Sequence, residues 1–179
     1  MLENGENSTT FTIHESSMGQ VITMRRATTA DARDVFEWRN DPQTRWASIS
    51  QEPIDWESHL SWFARSVGAD DRRLFIAEDL EAEQPAGAVG IVRFDLIDGE
   101  RAAEVSINLN PGWRGRGVGS ATLLAGLAAL RAERGRVPEL LATIRPENVA
   151  SLQLFTRAGF VEASADDDFA YYRRDAEDV

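Results

Sequence analysis

Residues 113–119 read Trp-Arg-Gly-Arg-Gly-Val-Gly and lie between an alternating run, Val105 to Leu109, and a long apolar-periodic stretch, Val118 to Leu130. The order strand, glycine loop, helix constrains the fold more than any other segment. Gly115, Gly117 and Gly119 can turn tightly and bring bare backbone N–H groups close to phosphate oxygens, and the helix that follows adds its unpaired first-turn donors and positive dipole end. Arg114 and Arg116 add charge-assisted donors, so the loop is a candidate pyrophosphate site.

Two familiar phosphate loops do not fit. The dinucleotide fingerprint needs G-x-G-x-x-G in an early βαβ unit, whereas the spacing from Gly115 is G-x-G-x-G, two thirds along the chain, with Ser120 at the last glycine position. The Walker pattern needs Gly-Lys-Ser/Thr, and the chain has no lysine. Arg114-x-x-Gly117-x-Gly119 instead resembles the acetyl-CoA loop of the GNAT N-acetyltransferases, read as Arg or Gln, two residues, Gly, one residue, Gly or Ala. A second segment strengthens the resemblance. Asn148-Val-Ala-Ser151-Leu-Gln-Leu-Phe155-Thr-Arg-Ala-Gly159-Phe160 is similar to the family's later helix, in which an Asn and a Ser approach the pantetheine arm. Its residues also read as a packed helix: Asn148 is a good N-cap, Val149, Leu152, Leu154 and Phe155 give an apolar face, and Gly159 suits a left-handed stop.

With 179 residues, 42% of them hydrophobic, the chain suits one domain with a sizeable core. A net charge of −11 argues against a general nucleic-acid or anionic-membrane binder, which makes a local basic loop more telling. Without cysteine there is no disulfide framework or thiol catalysis, and two histidines, His14 and His59, exclude a multi-histidine metal site; no metal is expected. The first residues lack a positive region and an apolar stretch of signal-peptide type, and no run approaches a membrane span, so a soluble cytoplasmic protein is expected.

Residues 1–19 are polar and read as a mobile tail, 20–175 as the acetyltransferase domain and 176–179 as a C-terminal tail. Val21 to Arg26 reads as a strand. Thr28 with Asp31 resembles a capping box before a helix through Val35, Phe36 and Trp38, which Asn40-Asp41-Pro42 ends, and after a connecting stretch to Pro53 Asp55 caps a second helix through Trp56, Leu60 and Phe63. Arg73 to Leu80, Ala88 to Ile97 and Glu100 to Leu109 read as strands, the last two joined at Asp98-Gly99. A helix from about Val118 to Arg134 closed by Gly135, a strand Leu140 to Ile144, the helix 148–158 and a final hairpin through Phe160 and Tyr171–Tyr172 complete the chain. This order matches the GNAT fold, an α/β (α+β) arrangement whose mixed, mostly antiparallel sheet splays open beside the glycine loop to admit acetyl-CoA and is flanked by helices.

The resemblance implies an acetyl-CoA-dependent N-acetyltransferase acting on a primary amine. The cofactor contacts it implies are Ile107, Leu109, the loop Arg114, Gly115, Arg116, Gly117, Val118, Gly119 and Ser120, and Asn148, Ser151 and Phe155. Carbonyl polarisation is implied to come from a backbone N–H between Ile107 and Leu109. Alternation in Glu104-Val-Ser106-Ile-Asn108-Leu puts a polar row on one face, consistent with a substrate cleft in which Glu104 draws the proton from the amine, with Ser106 beside it. Where many family members carry a tyrosine acid, this chain has Phe155, which cannot donate a proton.

Trp38-Arg39-Asn40-Asp41-Pro42 and His59-Leu-Ser-Trp62-Phe63 resemble the RimJ/RimL-type branch, nearest to the N-acetyltransferases of nucleotide-linked amino sugars in pseudaminic-acid-type pathways. Arg39 could then bind an acidic group, and Trp46 or Trp62 a base or sugar face; His59 reads better as a packing residue than as a catalyst. A peptide N-terminus is the alternative acceptor and a non-catalytic acetyl-CoA sensor the alternative role. The partners expected are a small amine or peptide, with no nucleic acid or membrane; a homodimer is compatible.

Overall fold

The computed structural model describes residues 11–15, 19, 21–79 and 87–176. Eight strands form one sheet: β1 Phe11–Glu15, β2 Val21–Arg26, β3 Arg72–Asp79, β4 Ala88–Ile97, β5 Ala102–Leu109, β6 Glu139–Ile144, β7 Val161–Ala165 and β8 Ala170–Arg174, in the order β1-β2-β3-β4-β5-β6-β8-β7. All neighbours are antiparallel except β5 and β6. The helices are α1 Ala32–Asn40, α2 Pro42–Ala47, α3 Trp56–Val67, α4 Val118–Arg134 and α5 Val149–Arg157.

Strand alternation divides the molecule into two apolar layers. On one face Phe75, Val92, Phe94, Ala103 and Val105 pack with Leu123, Leu127 and Leu130 of α4 and Phe155 of α5. On the other, Leu74, Ile76 and Ile91 pack with Val35 and Trp38 of α1 and Phe63 of α3. A sheet covered on both faces is the reason its central strands are nearly continuous apolar runs.

The domain begins earlier than the composition suggests. Phe11–Glu15, read as part of a mobile tail, pairs antiparallel with β2; a five-residue strand on a sheet edge needs only a backbone ladder on one side, so its polar composition is no obstacle. Residues 1–10 and 177–179 of the two expected tails lie outside the described residues. The stretch after Pro42, read as irregular, also folds. Asp41 accepts hydrogen bonds from the Gln43 and Thr44 amides at 3.1 Å and Pro42 occupies the first helical position, so the segment that stops α1 also starts α2. The β4–β5 connection departs from a two-residue turn, since Asp98, Gly99 and Glu100 all have positive φ. Leu60, placed on the apolar face of its helix, is 37% exposed.

The β5–β6 junction shapes the site. The two strands pair only from Ala102–Glu139 to Glu104–Leu141, yet β5 runs on to Leu109 and β6 to Ile144. Beyond Glu104 the sheet is open, and the opening lies directly before the glycine loop that starts α4.

Candidate active site

The loop forms as its glycines require. Gly115 and Gly117 have φ of +73° and +71°, left-handed values that cost a side-chain-bearing residue about 1–2 kcal/mol. Gly117 is the N-cap of α4 and offers no capping side chain, which leaves the first-turn amides of a 17-residue helix without a capping acceptor. Gly119 lets α4 meet α5 closely: a Cβ there would lie 2.6 Å from Leu154 Cδ1. Gly115, Arg116 and Gly117 are exposed and Ser120 half-buried, while Val118 is sealed in the core. This uncapped, positively polarised end beside the open sheet suits a pyrophosphate.

Arg114 stands differently from its expected role as a phosphate donor. Its guanidinium donates to Asp41 Oδ2 and Thr44 Oγ1, each at 2.6 Å, and to Gln43 Oε1 at 3.3 Å. It therefore locks α2 onto the loop. The Asp41 carboxyl is pushed up by partial desolvation, but the hydrogen bonds from Arg114 and the α2 amides outweigh this and leave it below the usual carboxylate range. Arg116, stacked 5.0 Å from the Trp113 ring centroid, is the loop's remaining cation toward solvent.

Ile107 and Leu109 are half-buried on the α4 side of β5, at the unpaired part of the strand. Asn148 Oδ1 accepts from the Ser151 amide at 3.2 Å, so its side chain caps α5 at the mouth of the opening. Phe155 was expected to contact the cofactor, but it is 4% exposed and meets Phe160 edge-on at 5.0 Å, which makes it a core aromatic. Phe155→Ala is expected to cost about 3–5 kcal/mol in urea denaturation, whereas Phe155→Leu should keep most of the acyl-transfer rate because no proton passes through the ring.

The polar row of β5 is on the face of α1, α2 and α3. Register places Glu104 opposite Asp95, Ser106 opposite Arg93 and Asn108 opposite Ile91. Glu104 and Ser106 are exposed; Thr44 of α2 donates to Asn108 Oδ1 at 3.2 Å. Asp95 is held by Arg72 and, at 3.0 Å, by Arg93, whereas among the described residues Glu104, its cross-strand neighbour, pairs with no cation. Sequence reading missed Arg93 and Asp95 because β4 looked like an ordinary buried strand; only the register with β5 brings them to the polar row.

Arg39 donates to the Ser50 carbonyl at 2.8 Å. Its titration is lowered by burial first and further by the positive charges of Arg45 and Arg93. Trp46 is 45% exposed, whereas Trp62 packs against the core with Arg72 and Arg93 at 5.5 and 5.9 Å from its ring centroid. His59 is buried among Phe36, Trp56, Trp62 and Phe63 and shares a 2.9 Å hydrogen bond with the Ala32 carbonyl, which fixes Nε2 as the donor. Burial pushes its pKa down, in keeping with a packing role. A separate cavity of about 780 Å³, lined by Asp34, Glu37, Asp41, Gly87, Asn110 and others, contains no residue of the polar row.

A GNAT acetyltransferase domain model matches residues 22–161, more than half of the chain. The chain is 32% identical over 146 residues to YwnH of Bacillus subtilis (strain 168), a protein provisionally named a phosphinothricin acetyltransferase, covering 79% of this chain and 85% of that one. A crystal structure provisionally described as a phosphinothricin N-acetyltransferase superposes with a TM-score of 0.70 at 27% identity, over 86% of this chain and 98% of the other. Spermidine N-acetyltransferase of Vibrio cholerae, solved with CoA and spermine, shares the fold with a TM-score of 0.72 at 18% identity, over 85% and 92% of the two chains. Among the described residues no helix is long and apolar enough to cross a membrane. With the glycine loop, the open β5–β6 junction and the family match in agreement, this chain is a member of the GNAT acetyltransferase family.

Proposed function

We propose that the protein transfers the acetyl group of acetyl-CoA to a primary amine held on the polar row of β5. The observation that carries this reading is the parting of β5 and β6 after Glu104, directly beside the uncapped start of α4. The loop amides from Gly115 to Ser120 and Arg116 would take the pyrophosphate, and the α5 cap at Asn148 and Ser151 would border the pantetheine arm. The free edge of β5 between Ile107 and Leu109 supplies backbone N–H groups toward the thioester oxygen. Glu104, exposed and without a salt bridge among the described residues, accepts a proton from the ammonium, directly or through water. The neutral nitrogen attacks the carbonyl carbon, the C–N bond forms, the C–S bond breaks, and the proton shed by the acylated nitrogen passes through water or the Ser106 hydroxyl to the departing thiolate.

The acceptor suggested by residues 38–63 is an amino-sugar nucleotide. Arg39 supports it, because a diphosphate needs cations. Trp62 supports it less, since Arg72 and Arg93 already flank its ring. A peptide N-terminus is the alternative acceptor; it brings no diphosphate for Arg39 to bind. Incubation with acetyl-CoA and a panel of amines, with released thiol measured, is expected to show turnover. Tight acetyl-CoA binding with no thiol release from any amine would favour the sensor reading instead.

A further inference from the structure

From the hydrogen bonds that join Arg114, Thr44 and Asn108 we infer that Asn108 is a further catalytic side chain. Its amide Nδ2 donates to the thioester oxygen of acetyl-CoA, and Thr44 and Arg114 are the positioning residues that turn it that way. The inference rests on the acetyltransferase reading above and adds a side-chain donor to the backbone groups of β5.

Donor chemistry fixes the orientation of the amide. A guanidinium has only donors, so Arg114, 2.6 Å from Thr44 Oγ1, uses a lone pair of that hydroxyl and leaves its single proton for another acceptor. The proton goes to Asn108 at 3.2 Å, where only Oδ1 can receive it. The NH2 half of the amide therefore faces away from Thr44. Among the described residues Nδ2 has no partner, and it is not one of the unpaired polar atoms sealed from solvent.

The relay is anchored on both sides of the opening. Asp41 accepts from the Thr44 amide at 3.1 Å and from Arg114 at 2.6 Å, so one carboxylate places both the threonine backbone and the guanidinium that reaches its hydroxyl. Past the end of α2, the Ser48 and Ile49 carbonyls accept from Arg145 at 3.1 and 3.2 Å, which fastens this segment to the β6–α5 connection. α2 is thus tied to the glycine loop at one end and to the chain beyond β6 at the other.

Asn108 stands between two amides that the opening leaves free. Asn110, just past β5, donates its amide to the Val89 carbonyl of β4 at 2.9 Å. Antiparallel alternation then turns the Asn108 amide toward β4 and the Ile107 and Leu109 amides toward the open side. A thioester oxygen held on those amides has Asn108 beside it, and the NH2 group adds a further donor that strengthens as the oxygen gains charge. An outward NH2 group repels an ammonium and suits an oxygen. Asn108 therefore serves the carbonyl, while Glu104, further back along the same face of β5, serves the amine.

The test reads this bond in the intact enzyme. Infrared difference spectra of bound acetyl-CoA, isotope-labelled at the thioester carbonyl, should show the C=O stretch lowered from its solution value. Asn108→Ala should lose part of that lowering. Thr44→Val, which keeps the shape but removes the proton, should do the same, and Thr44→Ser should restore it. Acetyl-CoA affinity by calorimetry should change little in all three, which reports folded protein with an intact loop. With the amines that release thiol, kcat should fall roughly 100-fold in Asn108→Ala, the scale for one oxyanion donor, with KM little changed. A C=O stretch identical in wild type and Asn108→Ala would overturn the inference. So would a loss confined to the KM of oxygen-bearing amines, which would make Asn108 an acceptor contact. Absence of thiol release from every amine despite acetyl-CoA binding would instead overturn the acetyltransferase reading.

Discussion

Gly117→Glu is expected to remove measurable acetyl-CoA binding while leaving a folded protein. Gly117 has a φ of +71° and caps α4 from an exposed position, so a side chain there meets a backbone cost of about 1–2 kcal/mol, which a domain of this size tolerates. The larger effect is on the ligand. A carboxylate placed among the first-turn amides would occupy the phosphate position and repel the pyrophosphate. Calorimetry should show at least a roughly 100-fold weaker Kd, the scale of losing two or more charge-assisted bonds. Gly117→Ala separates the two causes, because it carries the backbone strain without the charge and should weaken binding far less. Unchanged affinity in folded Gly117→Glu would move the cofactor site away from this loop.

Glu104→Gln is expected to lower kcat/KM by roughly 100-fold or more near neutral pH, the usual scale for a positioned general base. The loss should shrink as pH rises toward the amine's own pKa, roughly 8–10 for ordinary amino groups, since the free amine then needs no base. A loss of equal size at every pH would assign Glu104 a positioning role, and no loss would remove it from the mechanism. Asp95 does not replace it readily. Arg72 and Arg93 both hold that carboxylate, which commits its oxygens to cations rather than to an incoming ammonium.

Local pattern carried most of the fold. The strands from Val21, Arg73 and Ala88, the α4 helix with its Gly135 stop and the Asn148-capped α5 were all legible, because each depends on residues within one turn or one alternation of each other. The glycine loop was legible for the same reason: three closely spaced glycines between a strand and a helix leave few conformations open. Even the polar face of β5 followed from alternation alone.

Contacts between distant segments were not legible, and they decided the details of the site. Arg114 looked like a phosphate donor because nothing local claimed it; only the folded chain brings Asp41 and Thr44, some 70 residues away in sequence, within 2.6 Å. Phe155 looked like a pantetheine neighbour until its helix was placed against Phe160. The edge strand β1 escaped notice because pairing with β2 is a backbone transaction that composition scarcely records. Arg93 gave no signal of its own, since an arginine in a strand is usually a solvated side chain; only the register of β4 with β5 sets it opposite Ser106 and beside Asp95. The amino-acid order therefore determined the half of the site proposed for acetyl-CoA, where backbone geometry and helix polarity shape the loop, while the half proposed for the acceptor was decided by tertiary structure, because its chemistry depends on which charges meet across the sheet.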